Sequence, residues 1–475
     1  MKETAVVWFR NDLRLHDNEA LIKAMNSADN IIPVYIFDSR IFTGKTKYGF
    51  RKTDIHRAKF ILDSVINLRK NLKELGSNLY VRIGKPEEEV LAVARKFNVS
   101  WVFCNRERTQ EEERVQDKLE KGLWEKGQEI FYTRGKMLYY TSDLPFPVQH
   151  TPDVFTSFRK EVEKFIPVRD PLPKPTELNN QFIDELEWGT MPTLMDLHFQ
   201  DEGRLEINTK FIGGEDQALK QLHQYIWENK SIQNYKQTRN ELLGWDNSSK
   251  LSPWLASGSI SAKQIYQEVK NYEQKYGASD STYWIIFELL WRDFFRLIGK
   301  KYGNKIFQFG GLRGKQLNVQ EDKALFTKWK EGNTGIPFVD ANMKELNATG
   351  YMSNRGRQNV ASFLVHDLKL NWLLGAEYFE SMLLDYDPCS NYGNWNYIAG
   401  IGNDPREDRY FNMITQAKRY DANGDFVKHW LPELKNLPAD VVHVPHTVSK
   451  EMQENLNFLI GTSYPNPVIQ IEVSK

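Results

Sequence analysis

The sequence predicts an α/β domain joined by a long connector to an all-α domain. Three observations lead there. Strand and helix signals alternate over residues 1–135, prolines crowd the next stretch, and helical periodicity dominates from about Phe211 to Leu434. Strands that alternate with helices imply a parallel, doubly wound sheet, here of five strands.

The elements follow in order. Thr4–Arg10 (TAVVWFR) reads as a buried strand, and Asp17 is placed to cap a helix through Ala20–Met25. Ile31–Asp38 is a second strand, followed by helical periodicity over Ile55–Leu75, with Ile61, Leu62, Val65, Ile66 and Leu68 as its apolar positions. Asn78–Ile83 is the third strand, Glu87–Phe97 a helix, Ser100–Cys104 the fourth strand, Gln110–Lys126 a charged helix and Glu129–Thr133 the fifth strand. The pattern then breaks. Prolines at 145, 147, 152, 167, 171, 173, 175 and 192 imply a chain wrapped over a surface, with one helix near Val154–Lys164. Beyond it come helices at Glu215–Glu228, Ser261–Lys275, Thr282–Lys300, Asp340–Thr349, Arg355–Asp367, Gly375–Leu384 and Arg409–Arg419. The stretch from Cys389 to Asp408 fits neither an amphipathic helix nor an alternating strand. This reading divides the chain into 1–135, a connector 136–209, a helical domain 210–434 and a short tail 435–475.

Bulk composition narrows the function classes. A chain of 475 residues is too long for one typical core. Its 63 basic and 63 acidic residues cancel, so no whole-molecule field draws it to DNA or membrane, and a nucleic-acid site must be a local basic patch. Two cysteines, Cys104 and Cys389, supply neither a disulfide framework nor a zinc pattern, and a reducing cytoplasm is expected. The charged N-terminal stretch lacks an apolar signal core, and no apolar run is long enough to span a membrane. With 13 Trp, 21 Tyr and 27 Phe, aromatics are abundant enough to fill a core and still face a flat ligand.

Candidate site residues lie mostly in the second half. The first domain has no G-x-G-x-x-G and no G-x-x-x-x-G-K-[ST] loop. Glu111, Glu112 and Glu113 open a helix and read first as a solvated acidic turn. Ser248, Ser249 and Ser252 surround Lys250 just ahead of Pro253, a grouping that suits either a phosphate or a helix cap. Glu288 and Trp291 share a helix face with Arg292 adjacent, either as a buried Glu–Arg pair or as a pocket wall with one acceptor. Asn354 opens a helix that carries Arg357, so capping competes with a functional role. Asp385, Asp387 and Asn391 follow in an irregular segment, and Asp385 is a candidate partner for Arg357. Too few oxygen ligands accompany them for a metal.

These stretches resemble the photolyase/cryptochrome family over roughly residues 4–434, and most closely its DASH cryptochromes. VVWFRNDLRLHDN resembles the family's opening, KLSPWLASGSIS its phosphate-binding stretch, and ELLWRDFFR, TGIPFVDANMKEL and GYMSNRGRQNVASFLVHDL its helical motifs. LLDYDPCSNYGNWNYIAGIGNDPREDRYFN is close to the DASH pattern. The resemblance implies a C-terminal helical FAD-binding domain holding a bent, non-covalent FAD. Tyr235, Ser248, Ser249, Lys250, Leu251 and Ser252 would meet its phosphates and ribityl chain. Arg357 and Asp385 would pair beside the ring, Asp387 would accept from ring or ribose, and Asn391 would face N5. Glu288, Asn354 and Gln358 match positions that touch a cyclobutane pyrimidine dimer, Trp291 and Tyr397 match its aromatic walls, and Arg292 is a candidate for a nearby backbone phosphate. Tyr397 stands where duplex-active relatives usually carry Trp, which implies a preference for single-stranded DNA. Trp395 and Trp372 match the inner and middle members of a three-tryptophan electron relay, but the outer position falls on Val319; Trp329 and Tyr351 are aromatic substitutes to consider. Glu113, or Glu112 beside it, matches the carboxylate that holds a methenyltetrahydrofolate antenna. The implied activity is blue-light repair of pyrimidine dimers by a monomer, with light signalling as the alternative.

Overall fold

The computed structural model describes residues 3–470 except 182, 183, 185, 186, 202, 208, 209, 405, 407 and 408. The connector's predicted end at Thr209 lies outside the described residues. Strands β1 (Thr4–Phe9), β2 (Asn30–Asp38), β3 (Tyr80–Gly84), β4 (Trp101–Asn105) and β5 (Glu129–Thr133) form a sheet in the order β3-β2-β1-β4-β5. All four pairings are parallel. Every residue of β1 is buried, because helices cover both faces. Val7, Phe9 and Phe37 pack on one face with Leu62 and Leu68, while Val6, Trp8 and Val34 pack on the other with Val90 and Leu119. One cap differs from expectation. Asn18, not Asp17, receives the Leu21 N–H and caps the helix Glu19–Ser27. Asp17, at φ +51°, turns its carboxylate to the Leu172 N–H and to Lys263.

The proline-rich connector is pinned to this domain. Its backbone bonds to Asp17, Leu75, Ile31 and Val81 through Leu172, Leu178, Asn179 and Trp188. Its helix, Phe155–Phe165, leads the chain onto the second domain, where Phe155 and Phe158 pack against Phe294.

The helical domain is built round Asp280–Tyr302, whose start is closed by a capping box between Ser279 and Thr282. Pro337–Thr349 begins at its proline, as a first helical turn favours. The helix read over Arg355–Asp367 is an α-helix, Asn354–Ser362, that relaxes into a π-turn at Phe363–Asp367. The Asn-rich stretch after Asp387 is also a helix, Pro388–Ile398. It shows no polar stripe because it lies between Asp280–Tyr302 and Trp372–Met382 and is buried on several sides. Glycines make that fit possible: a Cβ at Gly393 would lie 2.4 Å from Phe295, and one at Gly375 would lie 2.2 Å from the Trp395 ring. The segment after Leu434 is packed as well. Phe458 and Tyr464 join a core with Phe338 and Phe426, and the Tyr464 hydroxyl donates to buried Asp340 at 2.6 Å.

The domains are fastened by buried polar contacts. Arg14 donates to the Gly258 carbonyl at 2.8 Å, and the Leu15 and His16 N–H groups both donate to Glu215. Glu107 pairs with Lys136 and, at 3.4 Å, with Arg296, whose other nitrogen reaches Asp387 at 2.9 Å. Burial would raise the Glu107 carboxyl, but Lys136, Arg296 and Arg10 outweigh it and hold the pKa at about 2.

Candidate functional site

Four elements converge on one cluster of charges in the helical domain. Lys250 precedes the short helix Ser252–Ser257 at φ +55°, in the left-handed region. That strained conformation turns the buried ammonium over the Tyr351 ring, 4.9 Å from its centroid. Arg357 reaches the same ring at 5.7 Å and pairs with Asp385 at 2.8 Å, as the sequence led one to expect. Burial lowers the guanidinium's pKa, and Asp385 more than reverses this. Asp385 Oδ1 is buried with no hydrogen-bond partner among the described residues. Glu345 completes the cluster. Burial pushes its carboxyl up to about 8 against the pull of Lys250 and Arg357. Ser249 offers its carbonyl to Gln221, and Leu251 is the buried cap of the helix that Ser252 opens. Ser248 lies half-buried in the turn before them.

Asn391 and Asp387 sit at the start of Pro388–Ile398. Asn391 Nδ2 donates to the Ala376 carbonyl at 2.9 Å, and no described residue donates to its Oδ1. Asp387 caps the helix through the Ser390 N–H and holds Arg296 with its second oxygen. Its first tasks are therefore a cap and a counter-ion, and a ring contact has only the remaining lone pairs. Arg292 also differs from expectation. Its guanidinium donates to the Lys136 carbonyl at 2.6 Å and the Leu255 carbonyl at 3.1 Å, so it braces the domain junction and not an open phosphate-binding face.

A second group of residues, around Trp291 and Tyr397, makes a candidate mouth. Glu288 pairs with Arg239 at 2.7 Å, not with Arg292, and keeps 31% of its side-chain surface. Burial raises the Glu288 pKa, opposed by Arg239 and the Trp284 indole. Tyr235, buried beside this pair, has its phenol pKa raised by burial and by Glu288. The Trp291 ring is stacked on Phe155 at 3.7 Å and meets Tyr397 edge-on, 5.8 Å between centroids and 87° between planes. Arg409 lies 4.7 Å over Tyr397. Ser353 caps Asn354–Ser362, which frees the exposed Asn354 from that duty. Gln358, one turn on, has a buried Oε1 without a partner among the described residues. Arg355 is in the same helix; burial lowers its pKa, and Arg239, Arg419 and Arg409 lower it further. Two of these arginines carry counter-ions, Arg239 at Glu288 and Arg409 at Asp404.

Trp395 and Trp372 are buried on neighbouring helices. Trp395 meets Phe379 at 5.2 Å and Trp329 at 6.5 Å. Trp372 donates its indole N–H to the Phe309 carbonyl and meets Tyr392 at 6.2 Å. Val319 lies next to Gln320, which is bridged to Leu370 at the start of the Trp372 helix.

A cavity of about 1210 Å³ lies between the two domains. Trp8, Arg10, Tyr35, Glu111 and Glu112 line it from one side, and Glu380, Tyr386 and Tyr392 from the other. Glu113 is exposed and does not line it, which corrects the expectation for that residue. A helix turns Glu113 about 200° away from Glu111, so the two point to different sides.

Residues 5–176 match the family model for DNA photolyase, and residues 284–475 match that for the FAD binding domain of DNA photolyase. A cryptochrome DASH of Synechocystis is 48% identical over 474 residues, covering 99% of this chain and 96% of that protein. The chain belongs to the photolyase/cryptochrome family, in its cryptochrome DASH branch. A crystal structure of the Synechocystis cryptochrome superposes with a TM-score of 0.95 at 48% identity, covering 98% of this chain and 96% of that one. An archaeal photolyase from Sulfolobus tokodaii, solved with two FAD molecules, superposes with a TM-score of 0.79 at 30% identity, covering 98% and 96%.

The cluster fits FAD. A cation over an aromatic ring, an ion pair with one orphaned carboxylate oxygen and a buried amide acceptor are groups a phosphate and a flavin ring would satisfy. Sequence reasoning missed Glu345, Arg239, Phe155 and Arg409. Arg239 and Glu345 fall within stretches of recognisable pattern, but their partners are 49 and 95 residues away in the chain, at Glu288 and Lys250.

Proposed function

We propose that the protein splits cyclobutane pyrimidine dimers under blue light, preferentially in single-stranded DNA, by electron transfer from reduced FAD. The observation that carries this reading is the mouth, where Trp291 and Tyr397 stand edge to face beside a Glu288 fixed by Arg239. FAD, when bound, supplies the electron. The protein supplies position and field. Lys250 and the hydroxyls of Ser248, Ser249 and Ser252 suit the phosphates, with Tyr235 beside them. Arg357 and Asp385 hold balanced charge beside the ring. Asn391 offers Oδ1 to a protonated N5, since its Nδ2 is already bonded to Ala376. An amide there favours the reduced flavin without adding charge.

At the mouth, Trp291 and Tyr397 wall the flipped lesion, while Asn354 and Gln358 meet its edges. Glu288 accepts from the pyrimidine and stabilises the charge that develops on it. Arg239, Arg355 and Arg409 steady the DNA backbone. Extruding a dimer from a duplex costs roughly a few kcal/mol, and less from a single strand. Tyr397 is a smaller stacking wall than Trp, which favours the substrate that is already unstacked. The inter-domain cavity is large enough for a second chromophore, and an archaeal relative was solved with two FAD molecules. A methenyltetrahydrofolate is the expected occupant, held by Glu112 or Glu111. Both cysteines are buried free thiols, compatible with a monomer in a reducing cytoplasm.

The test incubates reduced protein with UV-treated single-stranded DNA under blue light and follows thymine absorbance. Recovery is expected. DNA bound without recovery would leave a flavin protein that only holds nucleic acid, and no binding at all would favour light signalling.

A further inference from the structure

The relay read from sequence ends at Val319, which has no ring to oxidise. The structure places a different aromatic against Trp372. Tyr392 lies with its ring centroid 6.2 Å from that of Trp372, at 78°. Its hydroxyl donates to Glu380 Oε2 at 3.0 Å. Tyr392 and Glu380 both line the inter-domain cavity, and the phenol is otherwise buried. We propose that Tyr392, with Glu380 as its proton acceptor, is the terminal electron donor of the relay in place of the missing outer tryptophan. This rests on the reading of Trp395 and Trp372 as a relay to FAD.

The chemistry balances. With FAD bound, its light-excited ring would be the oxidant, and Trp395 would pass the resulting hole to Trp372. The oxidised Trp372 takes one electron from Tyr392. The phenolic proton moves along the existing hydrogen bond to the Glu380 carboxylate, leaving a neutral tyrosyl radical and a protonated Glu380. A soluble thiol then transfers a hydrogen atom to the radical, becoming a thiyl radical, and Glu380 releases its proton to water in the cavity. Oxidising a phenol without a base leaves an unstable cation, so the carboxylate is what makes Tyr392 competent. Burial raises the Glu380 pKa against Arg57, Tyr392, Tyr386 and Lys52, which makes it a better base than a solvated carboxylate. The competing branch lacks this feature. Trp329 lies 6.5 Å from Trp395 and 6.1 Å from Tyr378, but the Tyr378 hydroxyl donates to the Asn347 amide oxygen and the Lys330 carbonyl, neither of which is a base.

Flash excitation of the FAD-loaded protein, read by transient absorption and electron paramagnetic resonance, tests this. The native chain should develop a neutral tyrosyl signal as the tryptophan signal decays, more slowly in D₂O. Tyr392→Phe should abolish the tyrosyl signal while the flavin spectrum and melting temperature stay put. Glu380→Gln should suppress it at least tenfold with Tyr392 intact, and Trp395→Phe should remove both signals. A tyrosyl signal that survives Tyr392→Phe, or that is lost only in Tyr378→Phe or Tyr386→Phe, overturns the proposal. Repair by chemically reduced protein does not use the relay. Failure of repair with the tyrosyl signal present would therefore sink the repair reading and leave this one standing.

Discussion

Asp385 holds Arg357 with one oxygen and leaves the other, Oδ1, buried and unpartnered. A buried orphan of that kind is costly without a ligand to satisfy it. Asp385→Asn replaces the anion and leaves the Arg357 charge uncompensated. We expect FAD to be held at least tenfold more weakly, about 1.4 kcal/mol. The flavin absorbance retained after dilution and gel filtration measures this, and unchanged retention would remove Asp385 from the site. The pair itself was legible because Arg357 and Asp385 fall in recognisable motifs. The Glu288 partner was not. Adjacent Arg292 was the natural candidate, but its guanidinium is committed to two backbone carbonyls, and Arg239 comes from a separate segment. Glu113 was misplaced for a simpler reason: three successive glutamates point in three directions, and only packing tells that Glu111 and Glu112 face the cavity.

At the level of elements, Pro388–Ile398 was the least readable. Periodicity analysis assumes one wet face, and this helix has little of one. A local signal was present: Asp387 followed by Pro388 is a cap followed by a favoured first residue. The helix depends on the absence of side chains at its contacts. Gly375→Ala would drive a methyl group into the Trp395 ring. We expect a loss of about 1–3 kcal/mol in urea unfolding, because packed cores tolerate added volume poorly. Flavin photoreduction should slow with it, since the displaced ring is the proposed inner donor. A variant as stable and as photoreducible as the native chain would show that this contact relaxes freely.

Across the whole molecule, the strand–helix alternation gave the parallel sheet directly, because β1 and β2 are covered on both faces and read as apolar runs. What joins the domains was invisible, since Glu107, Lys136, Arg296 and Asp387 come from four distant segments. The Glu107 carboxyl is held at about 2 against an ordinary 4.5. A depressed carboxyl stabilises the fold fully above its unfolded pKa, and that contribution is lost as pH falls from about 4.5 toward 2. Glu107→Gln should therefore cost about 3 kcal/mol at pH 7, with the difference from the native chain narrowing below about pH 4.5. Urea unfolding at pH 7 and pH 3.5 checks the sign, and a gap that widens in acid would contradict it. The central claim concerns the substrate that Glu288, Trp291 and Tyr397 receive. The most direct measurement illuminates the reduced protein with one dimer-containing oligonucleotide, single-stranded and annealed to its complement, and counts dimers split in each. The account predicts faster splitting in the single strand, with Tyr397→Trp narrowing the difference; no splitting in either form would contradict it.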